Sequence, residues 1–255
     1  MLAIVSDIHA NFEALTAVLA DIEKRGAREI ICLGDVVGYG PSPAECLEVA
    51  QTRFSVTTAG NHEWAILNEP LGFHRVARDA ARYHRKTLSP GWWSSNKKKD
   101  AWDFLKSLPL MHRRGKLLFV HASPNNPTEE YLLRTDLDEI MHDLGPKLTR
   151  AFDKTEWVTF VGHTHYPGVI THDAYFFTPK DMGYRLRLEP DRKYIVNVGS
   201  VGQPRDADNR ACYVTLDRGT IEYHRVEYDV QATYRKVIES GALDRSLAER
   251  LLSGT

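Results

Sequence analysis

"LAIVSDIHANFEALTAVLADIEKRGAREIICLGD", residues Leu2 to Asp35, decides the fold. It opens on a short apolar run, "LAIVSD", crosses a stretch of helical periodicity from Asn11 to Arg25, and closes on a second apolar run, "EIICLGD". Phe12, Leu15, Val18, Leu19 and Ile22 recur at the i, i+3, i+4 spacing that lays one apolar face on a sheet, and Gly26 supplies a C-cap. Strand, helix and strand make a βαβ pattern, the unit of an α/β fold.

Outward from this unit, Pro43 to Gln51 reads as a second helix with Ser42 as its N-cap, followed by the strand "FSVTTAG" and then "NHE". From Trp64 to Met111 the chain turns to helix-like segments rich in Arg, Lys, Trp and His. A helical insertion is expected over about residues 64–115, either a lid over a site or a layer packed on the sheet. Strands return in "KLLFVHASP", "WVTFVGHTH" and "YIVNVGS". "ACYVTLD" and "TIEYHRVEY" then form an antiparallel hairpin about Arg218 and Gly219. The amphipathic tail from Asp229 to Leu252 reads as helical. With no repeat, low-complexity tract or linker, residues 1–255 are expected to form a single domain.

Composition is ordinary for a soluble globular chain: 255 residues, 42% hydrophobic, 26% charged, formal net charge -1. The short basic runs "NKKK" and "HRRGK" read as solvated faces, so no nucleic-acid partner is expected. Cys32, Cys46 and Cys212 are an odd number without a C-x-x-C pair, which points away from a disulfide framework and toward a reducing compartment. The apolar start lacks the basic region of a signal peptide, and no run is long enough for a membrane span. A cytoplasmic location is expected.

The chemistry lies where the strand-like runs end. Asp7 and His9, Asp35, Asn61 with His62, His121, and His163 with His165 each follow such a run. Loops at the carboxyl ends of strands bring distant side chains together, so this recurrence marks a site, although any one histidine would be unremarkable. Carboxylate, imidazole and amide oxygen suit divalent Mn, Fe or Zn, whereas a copper site would call for sulfur. Asp-x-His and His-x-His spacing places both side chains on one face of an extended segment. Asn11 either touches substrate or caps the helix after it. Arg205 either clamps phosphate through its planar fork or makes a surface ion pair.

The blocks "DIH" (Asp7 to His9), "GD" (Gly34 and Asp35), "GNHE" (Gly60 to Glu63), "VH" (Val120 and His121) and "GHTH" (Gly162 to His165) stand in one order along the chain. In this they resemble the calcineurin-like metallophosphoesterases, and "NVGSVGQPRD" at Asn197 to Asp206 resembles their bacterial small-phosphoesterase branch. The resemblance implies an α/β (α+β) fold with two mixed β-sheets packed as a sandwich and flanked by helices. It also implies two divalent metal ions. Asp7, His9 and His165 would hold the first, Asn61, His121 and His163 the second, and Asp35 would bridge them. His62 would be a non-ligand catalytic residue that donates a proton to the leaving oxygen or steadies the phosphate.

The expected function is that of a dinuclear-metal-dependent phosphohydrolase. It would cleave a small phosphomonoester, phosphodiester or nucleotide by attack of a metal-bridging hydroxide. The alternative is a phosphate-ligand binding or regulatory protein of the same fold with little turnover. Trp92, Trp93 and Trp102 would either stack on a base or pack between helices. The protein serine/threonine phosphatases of the superfamily continue their motif as Gly-Asp-x-Val-Asp-Arg-Gly. Here Gly38 and Tyr39 take the places of that Asp and Arg, which weighs against a phosphoprotein substrate and makes Arg205 the replacement clamp.

Overall fold

The apolar runs of the opening unit pair in parallel. In the computed structural model, which describes residues 1–68, 70, 72–138 and 140–255, β1 (Leu2–Val5) and β2 (Glu29–Cys32) flank α1 (Phe12–Lys24). Asn11 caps α1, its Oδ1 accepting the Ala14 amide at 3.1 Å. α2 (Pro43–Arg53) leads into β3 (Val56–Thr57), parallel to β2. This strand is shorter than "FSVTTAG" suggests, because Ala59 leaves the sheet to donate to Pro109 O.

Next come α3 (Asn61–Leu67), α4 (Arg75–Leu88) and α5 (Asn96–Ser107), then the antiparallel pair β4 (Met111–Arg114) and β5 (Leu117–Val120). The short pair β6 (Leu137–Asp138) and β7 (Asp143–Leu144) precedes α6 (Pro146–Asp153) and β8 (Val158–Val161). β9 (Gly168–Thr171), β10 (Phe176–Phe177), β11 (Arg185–Arg187) and β12 (Tyr194–Asn197) follow. The expected hairpin is β13 (Ala211–Asp217) with β14 (Thr220–Val226), turning at Arg218 and Gly219 with both at positive φ. The tail is two helices, α7 (Val230–Glu239) and α8 (Arg245–Ser253).

Two six-stranded mixed sheets result, ordered β11-β14-β13-β1-β2-β3 and β10-β9-β12-β8-β5-β4. Alternation along β1 explains the layers. Leu2 and Ile4 face inward onto Phe119, Phe160 and Val196 of the other sheet, while Ala3 and Val5 face outward onto Leu15 and Val18 of α1. On the far side α6 covers the second sheet through Leu148, Ala151 and Phe152.

Within 64–115, residues 69 and 71 lie outside the described residues. In the remainder, Ala81 and Leu88 of α4 and Leu105 of α5 join the core with residues of α1 and α2. Trp102 packs against that core, but Trp92 and Trp93 are 86% and 93% exposed, so neither packs between helices. All three cysteines are buried and free. No helix among the described residues is long and apolar enough to cross a membrane.

Candidate metal centre

β1, β2 and β3 run parallel in one sheet, as do β5, β8 and β12 in the other, and the loops after these strands carry the site. Asp7, His9, Asp35, His163 and His165 all take left-handed backbone, at φ between 48 and 64. For residues other than glycine this conformation costs energy, and it clusters at functional sites. The 197–206 loop fixes the ends of two strands. Ser200 Oγ and Gly202 N donate to Asp7 O, and Asn197 Nδ2 donates to Gly162 O and Thr164 Oγ1.

Hydrogen bonds set the tautomers of the first donor group. His9 Nδ1 faces Val37 O at 3.1 Å and His165 Nδ1 faces Gln203 O. A carbonyl only accepts, so each Nδ1 carries the hydrogen and each Nε2 presents a lone pair. The two Nε2 atoms stand 3.0 Å apart, at 3.7 and 3.2 Å from Asp7 Oδ1. That oxygen is buried without a hydrogen-bond partner. Two lone pairs and an anionic oxygen this close repel one another, and a cation among them reverses the sign of the interaction.

In the second group a carbonyl sets the tautomer of His163 alone, since His121 Nδ1 has no partner. His163 Nε2 faces Glu129 O at 3.2 Å, which turns the Nδ1 lone pair toward His121 Nε2 at 3.1 Å. The same His121 nitrogen is 3.0 Å from Asn61 Oδ1 and 3.3 Å from Asp35 Oδ2. Asp35 Oδ2 also lies 3.8 Å from His9 Nε2, so one carboxylate oxygen stands between the groups, while Oδ1 accepts the His62 amide at 2.9 Å. Burial holds His163 down to about 3, with His121 adding to the effect, and burial holds His165 down to about 4. Both imidazoles are therefore neutral, as ligation requires. Burial works against ionisation of Asp7 and Asp35, yet both carboxyls are held below the usual range; beside Asp35 the opposing charge is that of His121, whose imidazole the carboxylate pushes up to about 9 against its own burial, so a cation bound here displaces a proton. The donor set thus fits divalent metal.

His62 differs from the donors. Proximity alone groups it with His9 and Asp35. Its ring, however, is boxed in by Tyr39 at 4.4 Å and Phe73 at 5.1 Å, and its Nδ1 is buried with no partner. Burial pushes this imidazole well below its usual range.

Asn11 lies apart from this cluster of donors in its bonding. Besides the cap, its Oδ1 accepts from Thr233 Oγ1, and its Nδ2 donates to Gly202 O and Tyr228 Oη. Both ends of the amide are engaged within the protein, which is the capping arrangement and leaves no free group for a substrate. Among the described residues Arg205 makes no ion pair. Its Nη2 donates to Gln203 Oε1 at 2.9 Å, and its guanidinium carbon lies 5.9 Å from the centre of the Tyr39 ring. It therefore arrives beside the position at which the phosphatase motif would carry its own arginine.

The sequence reading assigned no role to several residues here. Glu63 Oε2 accepts from both Asp35 N and Gly60 N at 2.8 Å, and Oε1 accepts from Val37 N. Burial, reinforced by Asp35, pushes its carboxyl up to about 7. Its position three residues after Gly60 is the capping-box spacing, a signal that the sequence does contain. Tyr131 stacks on His163 with centroids 3.9 Å apart. A cavity of about 470 Å³ opens beside Asn61 and His163, walled by Tyr39, Tyr131, Arg205 and Arg250.

The family model described as "Calcineurin-like phosphoesterase superfamily domain" matches residues 1–220. The uncharacterized protein MJ0912 of Methanocaldococcus jannaschii is 36% identical over 263 residues, spanning 100% of this chain and 98% of the relative. A metallophosphoesterase from Sphaerobacter thermophilus superposes with a TM-score of 0.82 at 34% identity, covering 100% of this chain and 99% of that one. The symmetrical bis(5'-nucleosyl)-tetraphosphatase of Methylobacillus flagellatus is 24% identical over 168 residues, 64% of this chain and 55% of that protein.

Proposed function

The chain belongs to the calcineurin-like phosphoesterase superfamily, and from that membership we propose that it is a divalent-metal-dependent phosphohydrolase acting on a small phosphomonoester, phosphodiester or nucleotide. The observation that carries this reading is the convergence of Nε2 lone pairs from His9 and His165 on the partnerless Asp7 Oδ1, with Asp35 Oδ2 facing a second cluster of Asn61, His121 and His163. A phosphate-binding scaffold without turnover gives no reason for two adjacent donor sets sharing a carboxylate.

Asp7, His9 and His165 would hold one ion, Asn61, His121 and His163 the other, and Asp35 both. Bound there, the ions would supply positive charge to the phosphoryl oxygens and lower the pKa of water. The chain's own groups do the rest. Glu63 clamps the Asp35 amide and so fixes where that carboxylate points. Val37 O and Gln203 O hold His9 and His165 in the ligating tautomer. His62 has no carboxylate behind its Nδ1, an arrangement that favours steadying a phosphoryl oxygen over strong acid catalysis. Tyr131 and Tyr39 wall the cavity in which the ester would sit.

Hydrolysis of chromogenic phosphoesters with added manganese tests the reading. The wild-type chain is expected to turn over at least one of a monoester, a diester and a dinucleotide, and Asp35→Asn to lose on the order of a hundredfold or more. Wild-type rates no higher than those of the variant on all three substrates would refute it.

A further inference from the structure

We propose that Arg205 and Arg250 form a second anion subsite beside the metal centre, one that receives a further phosphoryl group of a diphosphate-bearing substrate such as a nucleoside diphosphate. The inference rests on the proposed function and narrows its substrate class.

The two guanidiniums reach the same place from distant parts of the chain. Arg205 follows the 197–204 loop, and Arg250 projects from α8, beyond the residues that match the family. Both donate to one neutral acceptor, Gln203 Oε1, at 2.9 and 3.5 Å. Neither forms an ion pair among the described residues, and Arg205 Nε is buried without any hydrogen-bond partner. Arg225 shows how this chain otherwise treats a buried guanidinium: it lies against both Asp206 and Asp208.

Two like charges sharing one amide oxygen, part-buried, are unfavourable unless an anion joins them. Burial first, then neighbouring Arg205, disfavours the charge on Arg250, but a guanidinium does not give up its proton. The unmet charge stands open to the cavity that Asn61 and His163 also line. Glu129, the acidic residue of that lining, pairs with neither arginine; its carbonyl faces His163. A phosphoryl group at the metal donors finds its counter-charge there. Two more forked cations on the same cavity match a second group, because planar guanidiniums bind phosphate oxygens in pairs. Hydrolysis of such a substrate breaks the bridging P–O bond, and the water oxygen goes to one phosphorus, leaving two phosphate-bearing products.

Calorimetric titration of the manganese-loaded chain with inorganic pyrophosphate and with inorganic phosphate tests the subsite without requiring turnover. In Arg250→Gln the affinity for pyrophosphate is expected to fall by about tenfold or more, and that for phosphate by less than about threefold. Arg250→Lys keeps the charge without the fork and should fall between wild type and Arg250→Gln, with unchanged melting temperatures excluding misfolding. Equal losses for both anions, or no loss for either, would overturn the subsite. A pyrophosphate preference lost in Arg250→Gln supports it even if the wild type cleaves no phosphoester, a result that would count against the proposed function alone.

Discussion

At Gly60 the backbone runs directly against the carboxylate that stands between the two donor groups. A Cβ placed there would press on Asp35 Oδ1 and lie 2.7 Å from Asp35 N, although the backbone angles of Gly60 suit any residue. Gly60→Ala should therefore displace Asp35 without straining its own turn. Activity on the best phosphoester is expected to fall about a hundredfold, the scale of an ångström-sized misplacement, and the melting temperature to fall with it, since overpacking a buried site costs about 1 to 3 kcal/mol. A fully active variant would show that Asp35 need not be held so tightly. Residue types at strand ends made most of the donors legible in the sequence. Arg250 was not, because it sits on an ordinary amphipathic tail. Only the return of α8 to the cavity gives it a partner in Arg205, and no local spacing encodes that return.

The elements between residues 64 and 115 divide sharply in what they contribute. Leu105 of α5 is 2% exposed in the core, whereas Trp93, in the loop before it, is 93% exposed. Leu105→Ala is expected to cost about 2 to 5 kcal/mol of stability, and Trp93→Ala less than about 0.5 kcal/mol; urea unfolding of both variants checks the contrast. Equal costs would mean that Leu105 does not belong to the packed core. The major strands and helices were readable from period and punctuation. β9, β10 and β11 were not: they have two to four residues each, and β11 is an edge strand of Arg-Leu-Arg whose alternation is too short to register. Their pairing is set by β12 and β14 rather than by their own sequence.

At the scale of the whole molecule, stability depends on histidines buried in neutral form away from the donors. His224 on β14 is held down to about 4 by burial, with Arg25 adding to the effect and Glu222 and Asp21 opposing it; its Nε2 lies 2.8 Å from Thr215 Oγ1. The unfolded chain takes up this proton near the ordinary value of 6.5, the folded chain only near 4. Stability is therefore lost as pH falls through that window and is unaffected by this group above it. His224→Gln should flatten the fall in melting temperature between pH 7 and pH 5, and an unchanged slope would remove His224 from the account. The sandwich and the loops on one side of it carry the donors for the arrangement proposed above, two cations about Asp35. Anomalous scattering from crystals grown with manganese reads that arrangement directly. Two peaks are expected, one among Asp7, His9 and His165 and one among Asn61, His121 and His163, both against Asp35; a single peak, or none at these residues, would contradict the dinuclear centre.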